Sequence, residues 1–125
     1  MAYSEALHSI SLNAARDLSN YQYRFVQVDS DGQVDYVQSA GGSAIGVLQN
    51  KPDAAGRAGT VALIGITKIV ASAAIAAGAD VSSAADGRAV TAASTYKILG
   101  KALEAADAAG DIISMVLLPA AEASA

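Results

Sequence analysis

Apolar and polar positions alternate along much of the chain in short runs, each cut off by a cluster of Gly, Asp or Ser. The longest apolar stretch is GTVALIGITKIVASAAIAAGADV, from Gly59 to Val81. Its first half holds Val61, Ile64, Ile66, Thr67, Ile69 and Val70. Such β-branched residues lose χ1 freedom in a helix and fit a pleated surface. VALIGITKIVA is therefore expected as a strand, or a pair of strands, buried on both faces, with AAGAD as a turn. A helix over the same residues would carry Gly65 and Gly78 in its interior. A membrane span would be long enough at about 20 residues. Lys68 near its middle would cost roughly 2.5–3.5 kcal/mol, so the strand reading governs the rest.

Taken in order, Met1 to Asn20 is an arm. Leu7, Ile10, Ala14 and Leu18 have helical spacing, whereas Ile10, Leu12 and Ala14 alternate as in a strand. The segment is too polar to form a core alone, so it is either a frayed end or an extension that docks on a partner. YQYRFVQV, Tyr21 to Val28, is expected as a strand, with Tyr21, Tyr23 and Phe25 on one face. Asp29-Ser30-Asp31-Gly32 makes a hairpin turn, and QVDYVQ, Gln33 to Gln38, returns. SAGGS (39–43) is a loop, AIGVLQ (44–49) a short strand, and NKPDAAGRAG (50–59) a loop around Pro52. DVSSAADG (80–87) reads as a turn and RAVTAA (88–93) as a strand with Val90 inward. KALEAADAA favours helix by propensity alone, and the conformation of Ala71 to Ala77 and of Lys101 to Ala109 stays open on the residues. IISMVLL, Ile112 to Leu118, closes the chain as a strand that Pro119 stops, leaving Ala120 to Ala125 as a frayed tail. Turns recur about every ten residues, the pattern of an all-β protein. The expected architecture is a small β-barrel or sandwich-like domain of short strands, residues 21–119, with an extended N-terminal arm (1–20) and a short tail (120–125).

Composition narrows the function. Apolar residues make up 53% but aromatic ones only 5%, so alanine fills much of the interior and a lone domain has a thin core. Oligomerisation is one way to strengthen it. The net charge is −4 with no Lys/Arg cluster, against nucleic-acid binding, which needs a basic face. There is no Cys, which rules out disulfides and thiolate metal sites. MAYSEALHSI contains an acid and no apolar signal-like run, so synthesis in a cytoplasm is expected. The single histidine, His8, has no second His or Cys to work with, leaving no plausible base for a nucleophilic triad. Asp29, Asp31 and Asp35 lack the spacing and terminal Glu of a calcium loop. The Gly pair in SAGGS precedes a strand, not a helix, so it is no phosphate cradle. Glu104 is the one acid in a strongly apolar run, with Lys101 or Arg88 as possible partners. No catalytic residue, cofactor or metal ligand is assigned.

Several strings, in order, resemble the tailed-bacteriophage capsid decoration, or cement, proteins. They are DLSNYQYRFVQVDSDGQV (17–34), AIGVLQNKP (44–52), GTVALIGITKIVASAAIAAGADV (59–81), DGRAV (86–90) and GKALEAADAAGDIISMVLLP (100–119). The turn Gly78-Ala79-Asp80-Val81 departs from the family's direct Gly-Asp, and no string matches before about Ser9. The resemblance implies a small β-barrel-like domain, often trimeric, on the outside of an icosahedral head, bracing the shell. It also implies that Lys101 to Ala105 is a strand and Ala106 to Gly110 a turn. The expected partners are the major capsid protein and two further copies of the chain, with no nucleic acid and no membrane. Ser9, Ile10, Leu12, Asn13 and Leu18 are the candidate capsid-binding residues, in an arm expected to become ordered on the shell. The alternatives are a small-ligand or carbohydrate-binding β module, for which stacking aromatics are scarce, and an enzyme subunit.

Overall fold

A computed structural model describes residues 5–123. Their strands, in chain order, are β1 (Glu5–Asn13), β2 (Phe25–Val28), β3 (Val34–Tyr36), β4 (Gly46–Leu48), β5 (Ala58–Val70), β6 (Asp80–Ser83), β7 (Ala89–Thr91), β8 (Lys97–Ala102) and β9 (Ile112–Ala123). Among the described residues there is no helix, and so none long and apolar enough to cross a membrane. The strands lie in the order β3-β2-β4-β5-β9-β8-β6-β7, with β1 added on β5, and every ladder is antiparallel. The fold is the all-β, barrel-like domain expected.

The β-branched stretch is the hub. Residues 58–66 of β5 pair with β1, Val61 and Ala62 with β4, and residues 65–70 with β9. Gly65, at φ 118°, sits where β9 takes over. A residue with a Cβ is strained at that angle. β5 thus joins an N-terminal half-sheet to a C-terminal one.

The sheet then curls until its ends touch. Phe25 N–H donates to Gly87 O at 2.7 Å, Gly41 N–H to Ser83 O at 2.8 Å, and Lys97 N–H to Gly41 O at 3.1 Å. These bonds join the start of β2 and the loop after β3 to the far end of the strand order. The curl encloses the main core, which includes Phe25, Val47, Ile69, Val81, Leu99 and Met115.

A second, smaller core lies behind the N-terminal half, built from Ala14, Leu18, Val26, Val34, Leu48 and Val61. Successive strand residues point to opposite faces. Accordingly Phe25, Val47 and Ala62 face the main core while Val26, Leu48 and Val61 face the smaller one. Burial on both faces is thus realised in the first half of β5 but not in the second.

Several local expectations are corrected. The strand expected from Tyr21 begins at Phe25, because Tyr21–Arg24 forms turns and Tyr23 takes φ 62°. Two ladder-like bonds hold Tyr23 there: its N–H reaches Leu48 O, and its carbonyl accepts Val70 N–H. Asp80–Ser83, read as turn, is β6, and the turn is only Ala84 to Gly87. Ala89, not Val90, is the buried residue of β7. β8 ends at Ala102 rather than Ala105, although a turn does follow to Gly110. Pro119 does not stop the last strand, since β9 continues to Ala123. The register explains how. Gly100 faces Leu117 but Ile98 faces Glu122, so residues 118–121 bulge out. A proline, lacking an N–H, is tolerated in such a bulge.

Candidate functional site

The five candidate residues do not form one exposed arm. Ser9, Ile10, Leu12 and Asn13 lie on β1, opposite Ala62, Val61, Gly59 and Ala58 of β5. Ser9, Ile10 and Asn13 are exposed, and Leu12 packs half-buried against the smaller core. Leu18 is fully buried inside that core. Its side chain is therefore not presented to any partner. Residues 14–20 cover the back of the sheet, and residues 9–13 pair in continuous register with β5.

The cover is locked by a row of planar groups. Arg24 lies over the Tyr21 ring at 4.8 Å, Tyr21 stacks on Tyr36 at 4.3 Å, and Arg16 lies over Tyr36 at 5.6 Å. Arg16 also reaches the buried carboxylate of Asp35, with Nη2 at 2.8 Å and Nε at 3.1 Å. Tyr36 N–H and the Gln38 amide donate to the same carboxylate. At the other end, Arg24 and Arg88 converge on Asp86, at 3.9 and 2.8 Å. Partial burial pushes the Asp86 carboxyl up. The hydrogen bonds from Arg88 and the charges of Arg88 and Arg24 outweigh that and hold it below the usual carboxylate range.

The second half of β5 carries a surface that the sequence reading missed. Thr67 and Ile69 face the main core with Met115 and Ile113 opposite. The alternate positions point outward, where Ile66 meets Val116, Lys68 meets Ser114, and Val70 meets Ile112. Ile112 is 47% exposed, and Ile64 and Leu118, next along the two strands, are 39% and 37% exposed. Half-buried Lys68 holds its ammonium 5.6 Å from the centre of the Tyr23 ring. Apart from Lys68 and the buried Ser114, this outer face is apolar where an exposed sheet face is normally polar. The signal was in the sequence, as apolar residues at both alternations of VALIGITKIV. The same pattern also fits burial within one chain.

The polar groups are occupied locally. Lys101 pairs with Asp80 at 3.0 Å and Arg88 with Asp86, while Glu104 accepts the Ser114 amide at 2.8 Å. Asp29 caps its own hairpin through the amides of Asp31 and Gln33. Among the described residues, no three His, Cys, Asp or Glu side chains converge to hold a metal ion. A shallow hollow of about 280 Å³ is lined by Gln27, Val28, Ser43, Ala44 and Ile45, with no ionisable group. Its polar side chains are one amide and one hydroxyl.

No curated protein matches the chain. Among solved structures, the crystal structure of the head fiber gp8.5 N base in bacteriophage phi29 superposes with a TM-score of 0.71. It covers 93% of this chain and 98% of that one at 18% identity, a likeness of fold. The family model described as phage cement protein matches residues 21–117, from the first stacked tyrosine to the last strand. With that match over most of its length, the chain belongs to the phage cement protein family and is a structural protein of the virion capsid.

Proposed function

We propose that the chain seats on the outer surface of an assembled icosahedral head, against the major capsid protein, as a homotrimer that braces the shell. The observation that carries this reading is the outward apolar face of β5 and β9, with Ile64, Ile66, Val116 and Leu118 at its centre. Burying an Ile or Leu completely contributes roughly 1.5–3 kcal/mol, and these residues are already part-buried, so each has about half of that to gain. Copies of the chain supply the cover in this proposal, and the exposed residues of β1, Ser9, Ile10 and Asn13, contact the shell. Leu18 drops out as an anchor because it is buried. Many symmetric sites on a shell would raise a modest single-site affinity by avidity. The proposed site of synthesis is the cytoplasm of a bacterial host.

The test uses purified protein and purified heads that lack it. Co-sedimentation should saturate at a fixed ratio, and Ile10→Ser should weaken it while leaving the fold intact. Sedimentation of the free protein should give a multiple of three copies, and Ile64→Ser should reduce the mass threefold. Failure of the wild-type chain to bind heads refutes the shell reading, and a single copy at all concentrations refutes the trimer.

A further inference from the structure

We propose that the free edge of β1 pairs, antiparallel and about a two-fold axis through Ser11, with the same edge of a second copy of the chain. The main-chain bonding direction alternates along a strand. Ala14 N–H donates to Arg57 O, and Ala14 O accepts from Gly56, so Ala14 bonds toward β5. Leu12 and Ile10 follow it, and Ser11 and Asn13 turn their N–H and C=O groups away. Thr60, which faces Ser11, confirms the alternation. Its own N–H goes to Asn50 Oδ1, and its carbonyl accepts from Gln49, on the side away from β1. Among the described residues, β1 pairs with no strand but β5.

Such an edge is a template for another chain, and proteins usually blunt it with lysine, proline or inward charge. Here no charged residue and no proline occurs from Ala6 to Ala15, in a protein in which 16% of residues are charged. The only irregularities in the ladder lie before Ser9, leaving Ser9 to Asn13 in unbroken register. The pentapeptide Ser9-Ile10-Ser11-Leu12-Asn13 is symmetric in polarity about Ser11. Two copies related by a two-fold there set Ile10 against the partner copy's Leu12, Ser9 against its Asn13, and Ser11 against itself. Ile10, 42% exposed in a single chain, gains an apolar neighbour. In an isologous contact a charge near the axis would meet its own copy, and this stretch carries none. A self-paired edge is the occupant that uses all three features: the unpaired bonds, the missing charges and the symmetric pattern.

The proposal concerns the free protein, in which the pair covers Ser9, Ile10 and Asn13 until the shell takes its place; it is tested without heads, so its failure leaves the shell reading standing. The chain has no native Cys, and a hydrogen-bonded antiparallel pair holds its Cα atoms about 5.5 Å apart, inside the roughly 4.4–6.8 Å of a disulfide. The full-length Ser11→Cys variant, oxidised at micromolar concentration, should give a covalent pair. Its cross-linking rate should be at least about tenfold that of Ser30→Cys at the exposed hairpin tip, because pairing raises the effective concentration. Mixed Ser9→Cys and Asn13→Cys chains should cross-link to each other in preference to themselves. Ser11→Lys, with an unchanged thermal midpoint, should halve the sedimenting mass of the assembly. Equal rates for Ser11→Cys and Ser30→Cys, or a mass unchanged by Ser11→Lys, overturns the proposal.

Discussion

Replacing Leu18 by alanine separates a core residue from a shell anchor. Leu18 is fully buried among Ala14, Val26, Val34, Leu48 and Val61. Its neighbours are held by ladders to β3, β4 and β5, so they cannot collapse freely into the space left behind. Leu-to-Ala changes at such sites cost about 2.7–5 kcal/mol, rising with the cavity that remains. A value near 3 kcal/mol is expected here, because the smaller core lies near the surface and can relax partly on the side of residues 14–20. For a domain of this size each kcal/mol lowers the melting temperature by about 4 °C, so the midpoint should fall by roughly 12 °C. Ile10→Ala is the matched control. Ile10 is 42% exposed, and its loss should cost about 1 kcal/mol or less. Thermal unfolding followed by far-ultraviolet circular dichroism, with urea titration to check that the m-value is unchanged, measures both. If Leu18→Ala is no more destabilising than Ile10→Ala, residues 14–20 do not cover a core, and the packing described here is wrong.

Gly87→Ala should destabilise by about 2 kcal/mol or more: an L-residue at φ 84° is strained by roughly 1–2 kcal/mol, and the new Cβ would stand 2.8 Å from Phe25 O, on the residue whose N–H donates to Gly87 O and closes the curl. Urea unfolding measures it, and a neutral effect would show the closure to be loose. Arg16→Ala strips two hydrogen bonds from the buried Asp35 carboxylate and should cost about 1.5–3 kcal/mol in the same assay; no loss would mean that Gln38 and Tyr36 suffice. Asp86 has a folded pKa below its unfolded value of about 3.8, so its contribution is fully present above that pH and is lost as pH falls through the lower folded value. Melting temperatures of wild type and Asp86→Asn should therefore differ by a constant amount from pH 5 to 8 and converge below about pH 4; a difference that vanished near neutrality would exclude this assignment.

The class and the hub of the fold were legible in the residues themselves. Val61, Ile64, Ile66, Ile69 and Val70 exclude a comfortable helix by their χ1 restriction, and Asp-Gly turns punctuate short alternating runs. These are local properties of sterics and backbone freedom, and they survive folding. The resemblance of the ordered strings, 17–34 through 100–119, carried the family, which the match to residues 21–117 bears out.

What escaped the sequence depended on contacts between distant residues. Ala14 and Leu18 looked like parts of a loose arm because nothing near them in the chain is apolar enough to hold them. Their partners are Val34, Leu48 and Val61, brought there by the pairing of β3, β2, β4 and β5. Tyr23 looked like a strand residue, but bonds to Leu48 and Val70 impose φ 62°. Pro119 looked like a terminator, yet a bulge placed where it needs no donor carries β9 onward. The two-sided apolar pattern of β5 fixed how much surface must leave water, but a period of two cannot say what covers each face. The curl of the sheet decides that: the first half of β5 is enclosed by the chain itself, and the second half presents its outer face.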